Sequence, residues 1–176
     1  MEIKLAAPEQ IDTVLALVHD IVSYMQTSGL DQWNSVYPDK DTLQKDLNNA
    51  TLYLLMDENK VTGMVVLNED QDPEYQTVNW QLPAERVMVI HRLCIHPRFR
   101  RRGLSKFLMD FAEFHAHRNG YNVIRLDAYS ANPAALSLYE HRGYSKAGAV
   151  NFPGRAHPFW CYEKQITPVT SGPETR

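Results

Sequence analysis

Only two cysteines occur in the chain, Cys94 and Cys161, each inside an apolar run and far from any C-x-x-C spacing. A disulfide framework and a zinc ribbon therefore have no support. No apolar run approaches the length that crosses a bilayer, and Met1-Glu2-Ile3-Lys4 is not followed by the long apolar stretch of a secretion signal. The expectation is a cytoplasmic protein with no membrane partner. Positive charge is also scarce: 18 Lys and Arg stand against 21 Asp and Glu, a net charge of −3. General nucleic-acid binding needs many cations acting together, so no nucleic-acid partner is expected. None of the histidines has H-E-x-x-H spacing, and His115 and His117, two apart on a helix, face different ways, so no metal is expected. Glycine is sparse where nucleotide loops would need it. There is no Gly-Lys-Ser or Gly-Lys-Thr for a Walker loop, and Gly103 stands alone between Gly63 and Gly120, too few for Gly-x-Gly-x-x-Gly.

The chain does have enough material for one core. Its 176 residues are 44% hydrophobic, which predicts a single domain over 1–166 followed by a Thr-, Ser-, Pro- and Gly-rich tail, 167–176, that does not fold. Ile3 and Leu5 alternate with other residues as a short strand. Ile11, Val14, Leu15, Val18, Ile21, Val22 and Met25 recur at helical spacing until Ser28-Gly29. A second short helix opens at Asp39 or Asp41, and Asp57-Glu58-Asn59-Lys60 joins two β-rich runs as a hairpin. Residues 68–85 form an acidic connection, long for a hairpin, which reads either as a functional flap or as an insertion. Val87 to Ile95 is the most apolar strand. The next helix is expected to pack Leu104, Phe107, Leu108, Phe111 and Phe114 or His115 on the sheet. Another strand, a helix begun by Asn132-Pro133, and two strands around a Pro- and Gly-containing loop complete the order.

His96-Pro97-Arg98-Phe99-Arg100-Arg101-Arg102-Gly103-Leu104-Ser105-Lys106 joins the most apolar strand to an amphipathic helix through basic and small residues. The first turn of a helix offers unpaired N–H groups and the positive end of its dipole, so the segment reads as a phosphate cradle. A basic loop capping an ordinary helix would look the same. A second segment, Asp127 to Tyr144, carries Asn132-x-x-Ala135-x-x-x-Tyr139-x-x-x-Gly143-Tyr144 after another strand.

With the pair of motifs in place, the chain resembles the Gcn5-related N-acetyltransferase (GNAT) family. Arg100-x-x-Gly103-x-Ser105 matches that family's Gln/Arg-x-x-Gly-x-Gly/Ala, with Ser105 departing from Gly or Ala. The closing run from Asn151 to Lys164 is similar to a recurring ending among bacterial members. The resemblance implies an α/β acyl-CoA N-acyltransferase fold, a mixed central sheet with helices on both faces. It also implies acetyl-CoA as cosubstrate, without a metal, and acetyl transfer to a primary amine of a small molecule or peptide by direct attack. For the thioester arm it implies the main chain of Leu93, Cys94 and Ile95, and for the pyrophosphate Arg100, Arg101, Arg102, Gly103, Leu104 and Ser105. Asn132, Ala135 and Tyr139 complete the cofactor set; Asn132 is explained equally by helix capping.

The resemblance makes Tyr139 the general acid for the departing thiolate, since a phenol stays protonated at neutral pH; packing alone is the competing explanation. Cys94 reads as a core residue, not a nucleophile. The family's glutamate base falls at Ile90, so His91 is the nearest substitute, with water or a purely structural histidine as alternatives. Gln32, Trp33 and Tyr37, with Phe152, Arg155 and Phe159, would line the acceptor site, Arg155 as a partner for an acceptor carboxylate. Ile90 also leaves open a non-catalytic acyl-CoA-binding domain. A modifier of tRNA or of a protein is a third reading, weakened for tRNA by the negative charge. A monomer and a homodimer are equally compatible with the sequence.

Overall fold

Alternating strands and helices appear in the order read from the sequence: β1 (Glu2–Leu5), α1 (Ile11–Thr27), α2 (Lys40–Asn48), β2 (Leu52–Asp57), β3 (Lys60–Asn68), β4 (Val87–Ile95), α3 (Leu104–Arg118), β5 (Val123–Tyr129), α4 (Pro133–His141), β6 (Ser145–Val150) and β7 (Phe159–Gln165). The computed structural model describes residues 1–167, so the tail expected not to fold lies outside the described residues apart from Thr167. The strands form one mixed sheet in the order β1-β2-β3-β4-β5-β7-β6, antiparallel except for β4 beside β5.

Local chemistry sets the helix starts. Asp39, not Asp41, caps α2 by accepting from the Thr42 N–H at 2.8 Å. Asn132 caps α4 through Ala135 N–H at 3.3 Å, with Pro133 at the first helical position, where its missing donor does no harm. On one sheet face, α1 and α2 bury Val14, Leu17, Leu43 and Leu47 against Leu54, Met64 and Cys94. On the other, α3 and α4 close a core containing Met88, Ile90, Leu126 and Tyr162.

The face of α3 differs from the sequence expectation. Leu104, Leu108, Met109, Ala112 and Ala116 are buried, whereas Phe107 and Phe114 are 41% and 61% exposed. Small alanines let the helix lie close to the sheet, and the phenylalanine rings fall at its margin, where Phe111 meets Tyr53 edge-on at 5.0 Å.

Two irregularities of β4 open the molecule. Its pairing with β5 covers only Val87↔Val123 to Val89↔Arg125, so residues 90–95 have no β5 partner. On the other side, Met64↔Cys94 and Val66↔His91 leave one extra residue in β4, a β-bulge at which Arg92 takes φ +51°. The 68–85 connection is anchored rather than loose. Tyr75 and Val78 are buried, and Gln81 N–H donates to Glu163 Oε1 at 2.7 Å.

Candidate active site

Where β4 leaves β5, a cavity of about 280 Å³ opens between the strands and continues under α1 and α4. Leu93, Cys94 and Ile95 form its β4 wall, Arg100 and Ser105 one end, and Asn132, Ala135 and Tyr139 its α4 side. Unpaired strand amides can hold an extended amide-bearing chain as an added strand would, so this wall suits a pantetheine arm. At the end of the cavity Gly103 caps α3 in the left-handed conformation, φ +74°, with no side chain closing the helix. The first-turn N–H groups of α3 therefore remain available to an anion. Arg100 is steered by Tyr24, its guanidinium 4.6 Å from the ring centre and hydrogen-bonded to the hydroxyl.

The contribution of the cradle residues divides unequally. Leu104 buries its side chain in the core and offers only its main chain. Arg101 and Arg102 do not line the cavity, and Arg102 lies over the Phe99 ring at 5.2 Å. Cys94 is buried and its thiol is pushed up to about 12 by burial, as expected of a core residue. Tyr139 is buried on α4, and burial raises its phenol far above the ordinary value, with the charge of Asp127 adding to the effect. Such a phenol keeps its proton at every physiological pH.

A second cavity, about 310 Å³, lies on the other side of the strand opening. Trp33, Tyr37, Phe152 and Phe159 supply aromatic walls, and Asp72, His91, Asp127 and Arg155 the polar groups. Asp127 and Gln32 line both cavities and so mark where they meet. The second cavity is assembled by clasps between distant loops. Asp31 accepts from Tyr129 and, at 2.9 Å, from Ala156 N–H; Gln32 Oε1 accepts from Asn132 Nδ2 at 3.2 Å. Arg155 lines this cavity, where the sequence reading placed it, and it also fastens the loops: Nε donates to the Gln32 carbonyl at 2.9 Å and Nη1 to that of Gly154 at 3.3 Å.

His91, read from the sequence as the nearest substitute base with water or a structural histidine as alternatives, is engaged by its neighbours. Its Nε2 lies 3.0 Å from both Asn68 Oδ1 and the Asp70 carbonyl, and burial followed by the charge of Arg92 lowers it to about 4. Ile90 is buried in the core on the α3 face, so that position reaches neither cavity. The titratable group that does reach both is Asp127, which burial raises to about 6 against the lowering effect of the Tyr75 hydroxyl, a donor at 2.7 Å.

Sequence reasoning assigned no role to Asp127, Tyr75 or Arg92. Asp127 left a signal, a carboxylate between the buried Leu126 and Ala128 of a mostly buried strand. Arg92 left one too, a guanidinium in the most apolar strand. The bulge aims it at Asp46, with Nε and Nη2 at 2.7 and 2.8 Å from the carboxylate, and at the Tyr37 hydroxyl at 2.9 Å.

This arrangement agrees with what the chain is similar to. Residues 18–144 match the profile of the acetyltransferase (GNAT) family. The chain belongs to that family. The acetyltransferase is 23% identical over 164 residues to the uncharacterized N-acetyltransferase YesJ of Bacillus subtilis, covering 92% of this chain and 88% of the relative. Among solved structures, a GNAT-family acetyltransferase from Streptococcus agalactiae superposes with a TM-score of 0.80 at 24% identity, over 93% of this chain and 94% of the other. The putative acetyltransferase yncA of Salmonella typhimurium, solved with its cofactor acetyl-CoA, superposes with a TM-score of 0.68 at 14% identity, over 99% and 98% of the two chains. The fold and the acetyl-CoA-dependent class of this enzyme are those anticipated from its two motifs.

Proposed function

We propose that the acetyltransferase moves an acetyl group to a primary amine by direct attack in a ternary complex, with Asp127 as general base and Tyr139 as general acid. The observation that carries this reading is the meeting of the two cavities at Asp127, one walled by free strand edge and helix N-terminus, the other by aromatic side chains. Acetyl-CoA, when bound, supplies a thioester whose carbonyl carbon accepts a nucleophile. Leu93, Cys94 and Ile95 would hold the arm through their main chain, and Ser105 with the first turn of α3 the pyrophosphate. Asp127, raised to about 6, is ionised at neutral pH yet basic enough to take a proton from an ammonium in the acceptor cavity. Tyr139, held neutral by burial, carries the proton that a departing thiolate requires. His91 fits a supporting role better than that of base, because its neutral ring is already engaged by Asn68 and Asp70.

The test follows N-acetylated product by mass spectrometry and thiol release across a panel of primary amines, small molecules and peptides, at pH 5 to 8. Protonated Asp127 cannot accept a proton, so kcat/KM should rise with pH through about 6 and then level off. Asp127→Asn should abolish that limb and lower kcat/KM by about 10²–10⁴-fold. An unchanged limb in the variant would rule Asp127 out as base, and thiol release without N-acetyl product would overturn amine acetylation.

A further inference from the structure

The acidic 68–85 connection contributes more than Tyr75. Just ahead of the short 3-10 turn Pro73–Thr77 stands Asp72, at the position where an aspartate ordinarily accepts from the turn's own N–H groups, and its side chain makes no such bond. The half-buried carboxylate has no hydrogen-bond or ion-pair partner among the described residues and lines the acceptor cavity instead. The nearby guanidinium of Arg92 is committed to Asp46 and Tyr37. Arg155, the other cation of that cavity, is turned to the Gln32 and Gly154 carbonyls, and His91 is neutral. The acceptor cavity thus presents two carboxylates, Asp127 at its inner end and Asp72 toward its mouth, against a single cation, Arg155, whose Nε and Nη1 are held by the Gln32 and Gly154 carbonyls.

Past Asp72 the space continues. Tyr37, Asp72 and His91 also line an outer trough whose other charged walls are Lys45, Asp46, Glu69, Asp70 and Arg92, four carboxylates with Asp72 against two cations. Of those four, Asp46, Glu69 and Asp70 are already paired with Arg92, Arg86 and Lys45, which leaves Asp72 as the carboxylate without a counter-ion. An acceptor with a single ammonium would answer Asp127 and leave Asp72 half-buried and uncompensated, which is unfavourable for a carboxylate. An acceptor ending in a carboxylate would meet Asp72 as a like charge. The aromatic walls of Trp33, Tyr37 and Phe152 suit an apolar spacer, and their faces favour cations over anions.

We propose that the acceptor is an aliphatic diamine or polyamine: one primary amine reacts beside Asp127 while Asp72, the specificity-determining carboxylate, holds a second ammonium at the far end of the spacer. This rests on the amine-acetylating reading above. The probes are 1,4-diaminobutane, 1-aminobutane and 4-aminobutanoate, which share a chain length and differ in the charge at the far end. With acetyl-CoA saturating, kcat/KM should favour the diamine over the monoamine by about tenfold or more, with the amino acid poorest, since one added charge pair at this depth is worth at least a decade. Asp72→Asn should bring the diamine-to-monoamine ratio close to one, and Asp72→Lys should move 4-aminobutanoate ahead of the diamine. Equal kcat/KM for diamine and monoamine in the parent enzyme would overturn the assignment of Asp72 while leaving amine acetylation intact. A ratio that survives Asp72→Asn would do the same, and the Asn variant, nearly isosteric, keeps that test available should the Lys variant not fold. Failure to acetylate any of the three overturns the diamine inference, whereas amine acetylation itself stands or falls on the broader panel.

Discussion

The acyl cleft and the acceptor cavity meet at Asp127, but they are built from different materials. The acyl cleft draws most of its wall from two stretches contiguous in sequence, 93–105 and 132–139, and offers main-chain groups at the strand edge of residues 90–95 and the first turn of α3. The acceptor cavity is made of side chains from segments far apart in sequence, Gln32 to Tyr37, Asp72, Asp127 and Phe152 to Phe159, fastened by Asp31, Arg155 and Arg92. A site of amides tolerates side-chain change and depends on local backbone shape, while a site of side chains depends on each anchor. Substitutions on either side should therefore differ in which substrate they disturb.

Tyr139→Phe gives the largest effect expected on the acyl side, because Tyr139 is the side chain lining the acyl cleft but not the acceptor cavity to which the proposed chemistry assigns a proton. Removing the hydroxyl keeps the buried ring and its packing against Tyr144 and Tyr162. Stopped-flow or steady-state kinetics should show kcat reduced by about 10²–10⁴-fold, with the KM for acetyl-CoA within about threefold. A comparable rise in that KM with kcat retained would turn Tyr139 into a binding residue and weaken the distinction between the two regions.

Asp46→Ala comes next and probes the anchors of the acceptor side. Arg92 and Asp46 are 10% and 5% exposed, and removing the carboxylate leaves a nearly buried guanidinium with only the Tyr37 hydroxyl. Breaking such a pair costs about 3–5 kcal/mol, which for a domain of this size lowers Tm by roughly 10 °C in differential scanning calorimetry. The surviving folded enzyme should show a raised KM for the amine, since Tyr37 loses its support, and a smaller change for acetyl-CoA. Equal changes in both constants would mean that Arg92 stiffens the whole sheet opening.

The same division explains which parts of the molecule are legible in the sequence. The residues that line the acyl cleft were legible because they lie in contiguous segments, a strand, basic and small residues and an unpartnered helix start, then Asn132-Pro133 and Tyr139 at the spacing on which the resemblance to the family rests. The order of elements followed from hydrophobic periodicity for the same reason. Arg92 was hidden because a β-bulge shifts the alternation by one residue, and no local pattern in Val87–Ile95 announces an extra residue there. Asp127 and Asp72 were visible as residue types but not as neighbours, since 55 positions of chain separate them and only the packing of the 68–85 connection over the sheet brings both to one cavity. His91 was the natural base on unperturbed chemistry alone. Its burial, and the two acceptors that engage Nε2, are consequences of a connection whose position the sequence did not specify.

The smallest effect makes the sharpest comparison, because two glycines impose similar local strain on opposite sides of Asp127. Gly103 at the start of α3 has φ +74° and Gly154 in the β6–β7 loop φ +72°, and a Cβ added at either would meet nothing within 4 Å. Gly103→Ala and Gly154→Ala should therefore cost about 1–2 kcal/mol each through the left-handed backbone alone, without a clash. What differs is the group each backbone aims. Relaxation at residue 103 turns the first N–H groups of α3 and should raise the acetyl-CoA KM about three- to tenfold while leaving the amine KM within twofold. Relaxation at residue 154 moves Phe152, Arg155 and the clasp to Gln32, so it should raise the amine KM by a similar factor and spare acetyl-CoA. If both variants instead disturb both substrates equally, the two cavities respond as one body through Gln32 and Asn132, and the contrast between a main-chain site and a side-chain site no longer describes this enzyme.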